Sequence, residues 1–366
     1  MSSTWPKGYC LLLISLFRKR KKSMMYSDEQ SRYSDVMRVC NQIIISSAEP
    51  ILKCIETLCK HFEDDVIVIA DYCTADGGNS VEILNKMKEK IDEHSRQMFV
   101  IFEDHPNNEF SSLFSTINCK LNQHNMYQAV CSKDMYKQCL PSNFIHLIFS
   151  TFGFHWLSER PCNIEHGMFV HDGNEIEQKL FAQQAEKDWE TFLLQRGKEL
   201  KRGGIMYLIG LVKDDKGGYG SLEFHKQMSE VQKTMFQEGF ISKEEHKAML
   251  IKTYNRSEDE MRLPFCQGSK VSALGLELQS FTRRNWKAVK HPGNENNQKK
   301  LMWASCLTSV ARVWSHMPMI ESLEHHRTTE DKINLMNRFY DNLKTRLLEC
   351  TFDLDYTIAD LIISKT

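Results

Sequence analysis

Three acidic positions recur where apolar runs of this chain end. The run Val66–Ala70 stops at Asp71, and a polar turn containing Gly77, Gly78 and Asn79 follows. Met98–Phe102 stops at Glu103 and Asp104, and Asp134 lies beyond a weaker run at Met126–Val130. The first acid suits a ligand carrying an ammonium or sulfonium charge. The second can accept both hydroxyls of a ribose, and the third can accept from an adenine amino group. An amino acid, a ribose and an adenine in that order describe S-adenosylmethionine. Any one of these acids alone could merely solvate a strand end; it is the order that points to a ligand. The chain has no GxGxxG, which counts against a pyrophosphate cradle and so against a nicotinamide oxidoreductase.

The elements that must position these acids are legible as periodicity. Val66–Ala70, Met98–Phe102, Phe144–Phe149 and Ile205–Val212 have strand length and no polar alternation, as in a parallel sheet buried on both faces. Helix-like segments at Ser80–Lys90, Glu109–Asn118, Met135–Leu140 and Glu175–Leu200 alternate with them, and the last meets a stop at Lys201-Arg202-Gly203-Gly204. That alternation predicts a doubly wound α/β sheet, in which ligands lie outside the carboxyl ends of the strands. Gly77 and Gly78 let the backbone approach such a ligand closely, and a helix opening near Ser80 offers its amides. From Ser221 to Glu260 the pattern turns helical, with Phe224, Met228, Val231 and Met235 on one face. A helix near Asp331–Glu349 and a strand at Tyr356–Lys365 close the chain.

Composition excludes several classes. A net charge of −1 gives no general attraction to nucleic acid or anionic membrane. The 12 cysteines contain no CxxC pair and read as reduced thiols of a cytoplasmic protein, and no metal ligand set is assigned. Tyr9–Phe17 is apolar but too short to span a bilayer, and the basic run at 18–22 follows it rather than preceding it, the reverse of a signal peptide. Residues 1–23 are expected to be a disordered extension without stable membrane insertion. The expected organisation is an S-adenosylmethionine-binding core at 24–215 and 281–366, with an N-terminal lid at 24–60 and a helical cap at 216–280.

Longer blocks resemble the SABATH methyltransferases, the group of salicylate, jasmonate and benzoate carboxyl methyltransferases and caffeine-pathway N-methyltransferases. IADYCTADGGNS (69–80) is similar to that family's IADLGCxxGxNT, and FEDHPNNEF (102–110) to its FNDLPxNDF. LPSNFIHLIFSTFGFHWLSERP (140–161) is similar to FPxxSLHxxxSSYSLHWLSxxP, the most specific of the three. The likeness runs on through ELKRGGIMYLIG (199–210) to the closing strand.

The resemblance implies a Rossmann-like methyltransferase sheet with an inserted helical cap, and S-adenosylmethionine as cofactor. Asp71 and Asn79 would hold its methionine end, and Asp104 its ribose, with His105 beside it. Asp134 and Met135 would flank the adenine, and Ser150 and Phe152 would line the floor below the methyl donor. His155 and Trp156 match the pair that contacts the acceptor. Tyr33 would close over the cofactor, and Asn41 or Gln42 would hold the acceptor carboxylate. The chain departs from the family at Tyr72-Cys73-Thr74, where Leu-Gly-Cys is expected, and at His105 in place of leucine; Cys73 crowds the cofactor unless the turn reopens around Gly77-Gly78. The expected reaction is methyl transfer to the carboxylate of a small organic acid, giving a methyl ester without an acid or base catalyst. N-methylation of a small heterocycle and a catalytically silent cofactor-binding homologue are the alternatives; a homodimer is left open.

Overall fold

The computed structural model describes residues 33–366 apart from 122–123, 216, 219 and 294–295. The expected extension at 1–23 and the start of the lid lie outside the described residues.

Seven strands form one sheet: β1 (Val66–Tyr72), β2 (Gln97–Asp104), β3 (Met126–Ser132), β4 (Ile145–Thr151), β5 (Leu200–Leu211), β6 (Leu276–Val289) and β7 (Leu354–Lys365). Their order is β3-β2-β1-β4-β5-β7-β6. The first five are parallel, and β7 runs antiparallel between β5 and β6. The chain winds from β1 outward through β2 to β3, then returns to β4 on the other side of β1. Asp71 pairs with Phe149 and Tyr72 with Ser150 there, so the topological switch point lies between the carboxyl ends of β1 and β4.

Both faces are covered. On one side, α2 (Arg38–Ser46), α3 (Ala48–His61), α4 (Val81–Asp92) and α5 (Phe110–Lys120) bury Ile43, Ile55, Leu84 and Leu113 against Ile69, Val100 and Phe149. On the other, α6 (Glu175–Glu199) buries Trp189, Phe192 and Leu193 against Val68, Ile148 and Leu208. A short α1 (Tyr33–Val36) precedes α2.

Two expectations change, at Met135–Leu140 and in the insertion, and two features go beyond them. Met135–Leu140 is a turn, not a helix, because a fully buried ion pair claims its backbone. Glu199 Oε1 accepts from the N–H groups of Cys139 (2.6 Å) and Leu140 (3.0 Å), while Arg196 donates to the carbonyls of Met135 and Lys137. The long helix does end where its stop was expected, at Glu199, and the basic pair Lys201-Arg202 that follows lies inside β5, with Gly203 at φ +83° beside a register shift. The edge strand β6 has no apolar run, since its residues are mostly half-exposed or exposed. The insertion is not helical throughout: α7 (Leu222–Gln237) and α8 (Lys243–Ala248) are followed by an extended stretch, and the chain re-enters helix at α9 (Glu258–Arg262) and α10 (Lys270–Ala273). In that stretch Tyr254 N–H donates to His155 O (2.8 Å), and Leu157 N–H donates to Lys252 O (2.8 Å).

The last helices, α11 (Asn297–Glu321) and α12 (Thr329–Leu347), share one apolar cluster with α7, through Phe224, Met228, Leu307, Ala311, Phe339 and Leu343. The helical layer over the sheet therefore draws on residues from both sides of position 281.

Candidate functional site

The turn after β1 is built by carboxylates that satisfy its backbone. Cys73 (φ +60°), Ala75 (φ +52°) and Gly77 (φ +70°) all occupy the left-handed region, which costs a residue with a Cβ. Glu103 Oε2 accepts from Cys73 N–H (3.3 Å) and Asp104 Oδ2 from Ala75 N–H (2.6 Å). Asp104 Oδ1 accepts from His105 N–H (2.7 Å), so each oxygen keeps a lone pair for a ribose hydroxyl. Asp71 is 1% exposed and accepts from the Thr74 hydroxyl (3.1 Å). Burial pushes its carboxyl up to about 7, and burial pushes Glu103 up to about 8 against the pull of Arg196. Two buried carboxyls poised near neutrality fit a cationic ligand, which would favour their ionised form.

Of the other expected cofactor residues, Met135, Ser150 and Asn79 meet this turn, whereas the hydrogen bonds of Asp134 and His105 stay within their own loops. Ser150 donates to Tyr72 O (3.0 Å), and Met135 Sδ lies 3.2 Å from Cys73 Sγ. Asp134 caps its own turn, accepting from Tyr136 N–H (2.9 Å). Asn79 offers its carbonyl to the Asn41 amide (3.1 Å). His105, however, is exposed, its Nδ1 accepting from Asn107 N–H, so its ring stands at the rim. A Cβ at Gly153 would stand 2.4 Å from Cys73 Sγ, so the sulfur packs against Gly153, just beyond the ends of β1 and β4. The acids and the glycine turn fit the methyl donor.

A cavity of about 90 Å³ adjoins the switch point. Tyr33, Met37 and Cys40 roof it, Phe152, His155 and Trp156 come from the loop after β4, and Phe224 and His225 come from α7. Phe169, Trp314 and Tyr356 complete an aromatic wall. Phe152 sits at φ +56°, a strained turn that brings His155 and Trp156 round to the cavity. The buried Arg256 holds this loop by donating to Phe154 O (2.6 Å) and to Ala185 O. Burial, with Arg256 nearby, pushes the His155 imidazole down to about 3, so it is neutral throughout the physiological range. Its Nδ1 is shielded and has no partner.

Tyr33, Phe152, His155 and Trp156 thus meet at one cavity. Asn41 and Gln42 do not: Asn41 turns to Asn79, Gln42 is exposed, and the preceding residue Cys40 faces the cavity. One helical step of 100° separates the two readings, and no periodicity in so short a helix could choose between them. Sequence reasoning also missed His225 and Trp314. The signal for His225 was a polar residue beside Phe224 on the apolar face of α7.

The profile of the SAM dependent carboxyl methyltransferase family matches residues 19–349. Methyltransferase FUS9 of Gibberella moniliformis is 29% identical over 205 residues, covering 54% of this chain and 55% of that protein. Gibberellic acid methyltransferase 1 of Arabidopsis thaliana is 26% identical over 234 residues, covering 56% and 62%. The chain therefore spans between half and two thirds of these curated relatives. A solved loganic acid methyltransferase with SAH superposes with a TM-score of 0.70 at 16% identity, over 94% of this chain and 99% of that one, a likeness of fold. The chain belongs to the SAM-dependent carboxyl methyltransferase family, the SABATH group that its three strand-end motifs resemble.

Proposed function

We propose that the protein transfers a methyl group from S-adenosylmethionine to the carboxylate of a small organic acid, giving a methyl ester. The observation that carries this reading is the pairing of a turn ringed by Asp71, Glu103 and Asp104 with a cavity whose described walls hold neutral imidazoles and no Lys or Arg. Asp71, Asn79, Asp104, Asp134, Met135 and Ser150 are the residues that would hold the cofactor, with Tyr33 and Phe152 between it and the acceptor.

When bound, the cofactor supplies a methyl group already activated by its sulfonium. The residues of this chain then have to align an acceptor lone pair and exclude water. A carboxylate is ionised at neutral pH and needs no base. Neutral His155 can donate a hydrogen bond to one carboxylate oxygen without forming an ion pair, which leaves the other oxygen nucleophilic. Trp156 offers an indole N–H of the same donor-only kind. The aromatic walls keep water out, and the extended stretch hydrogen-bonded to His155 O and Leu157 N–H fixes the loop that carries both donors. The described cysteines are all free, which supports work in a reducing compartment such as the cytoplasm.

The test is transfer of a labelled methyl group over a panel of small acids, with the product checked for cleavage by base, as an ester requires. Base-stable label on a heterocycle would replace this reading with N-methylation. S-adenosylhomocysteine binding with no transfer to any acceptor would make the chain a silent homologue.

A further inference from the structure

Tyr136 is hydrogen-bonded at both of its ends, to two different parts of the site. Its backbone N–H donates to Asp134 Oδ1 (2.9 Å), which leaves Oδ2 of that carboxylate for an adenine amino group. Its hydroxyl reaches a residue 20 positions later in the sequence and donates to the backbone carbonyl of Trp156. Burial raises the phenol well above its ordinary range, so the hydroxyl keeps its proton to donate.

The turn that carries Tyr136 is held from behind. Arg196 donates to the carbonyls of Met135 and Lys137, and Glu199 accepts from the N–H groups of Cys139 and Leu140. The Asp134 carboxylate bonds only within the turn, so a ligand seated there would stiffen that side. The acceptor loop has anchors of another origin. Phe154 O accepts from Arg256, His155 O accepts from Tyr254 N–H, and Leu157 N–H donates to Lys252 O. All three partners lie in the insertion. Among the described hydrogen bonds, the one to Trp156 O is the only tie between residues 154–157 and the turn expected to meet the adenine.

We infer that Tyr136 is a positioning residue that carries the presence of the cofactor's adenosine end to the acceptor side, by holding Trp156 and the neighbouring His155 in register with the methyl donor. The inference rests on the cofactor and acceptor sites proposed above. An adenine against Asp134 takes conformational freedom from the turn, and a hydroxyl on a stiffened turn holds the Trp156 carbonyl in one place. That ordering is then already complete when the acid arrives, and by linkage acid and cofactor raise each other's affinity.

The experiment is amide exchange in residues 153–157, in the wild type and in Tyr136→Phe, with S-adenosylhomocysteine and with adenosine as probes. Phenylalanine keeps the ring and removes the hydroxyl donor. Adenosine carries the adenine and ribose but no sulfur or amino acid, so it does not reach the loop from the methyl-donor side. In the wild type both probes should slow exchange in that segment by about tenfold, the worth of one neutral hydrogen bond. In Tyr136→Phe both should bind within about twofold of their wild-type affinity, yet adenosine should leave the exchange of the loop unchanged. With the acid selected by the labelled-methyl panel, its KM should rise roughly tenfold in the variant, while KM for S-adenosylmethionine stays within about twofold. Equal protection by adenosine in both proteins would overturn the inference. So would faster exchange in ligand-free Tyr136→Phe that adenosine fully reverses, since the hydroxyl would then be a structural brace alone. Protection of the wild type by S-adenosylhomocysteine but not by adenosine would overturn it as well, because the coupling would run through the methionine end. If neither probe binds the wild type, the cofactor reading itself fails.

Discussion

Ser34 donates from its backbone N–H (3.0 Å) and from its hydroxyl (2.8 Å) to the same oxygen, Oδ2 of Asp76. The other oxygen of Asp76 accepts from Gly78 N–H at 3.1 Å. Helix α1, which carries Tyr33 over the cavity, is therefore latched to the glycine turn of the cofactor site. A Cβ at Gly78 would stand 2.1 Å from Ser34 Oγ, so glycine is what lets the helix come down this far. Closure of the acceptor cavity and order in the cofactor turn share one carboxylate.

Asp76→Ala should therefore loosen the roof. The buried Ser34 N–H loses its acceptor, a cost of about 1–3 kcal/mol. Amide exchange at residues 33–41 should rise sharply, while the strands keep their protection. Unchanged exchange in that segment would show that packing of Met37 and Cys40, not the latch, holds the lid.

Cys73 and Gly153 make the second test. Cys73→Gly removes the sulfur just beyond the ends of β1 and β4 and relieves a left-handed φ, so S-adenosylhomocysteine should bind about tenfold tighter, or ~1.4 kcal/mol. Gly153→Ala in the wild type should destabilise the fold by about 1–3 kcal/mol through overpacking against that sulfur. In the Cys73→Gly background the same alanine should cost much less, and a double-mutant cycle measures the difference. Additive effects would mean that the two positions do not compete for one space.

The pH dependence follows from Asp71 and Glu103, raised to about 7 and about 8 by burial. Unfolded, such carboxyls titrate near ~4, so the folded state holds its protons longer. Their contribution to stability is fully present below about pH 4 and is lost as pH rises through the folded values. The ligand-free protein should lose stability between pH 5 and 8, and Asp71→Asn should flatten that slope. S-adenosylmethionine, a cation, should release protons on binding near pH 7, read by calorimetry in buffers of different ionisation enthalpy. Proton uptake instead would contradict the assignment of these acids to the cationic end.

Trp156→Phe keeps an aromatic wall and removes one donor. A bond to a charged group is worth about 1.5–3 kcal/mol, so kcat/KM on the best acid should fall by one to two orders of magnitude. Cofactor affinity should hold. A variant as active as the wild type would falsify the role of the indole. The rate profile should show no limb from His155 between pH 5 and 8, since that ring ionises only near about 3.

Much of the sheet was legible in the sequence, because a strand buried on both faces must be apolar along its length. Val66–Ala70 and Phe144–Phe149 announce themselves in that way, and the acids that end β1 and β2 mark the side on which a ligand lies. What the sequence could not display was any feature decided by residues distant along the chain. Met135–Leu140 has the composition of a short helix, but Glu199 and Arg196, some 60 positions later, take its amides and carbonyls, and a buried charge outbids local propensity. Edge strand β6 escaped notice because half of its surface faces solvent and needs no apolar pattern. The sequence offered Asn41 or Gln42 for the cavity, but a helical step of 100° sets Cys40 there instead, with Asn41 turned to Asn79. His225 reads as one polar residue in an apolar stripe until the fold stacks its ring on Phe169, beside Trp314, at the cavity that His155 also lines. Local chemistry named the ends of the strands; packing between distant segments chose the walls of the acceptor site.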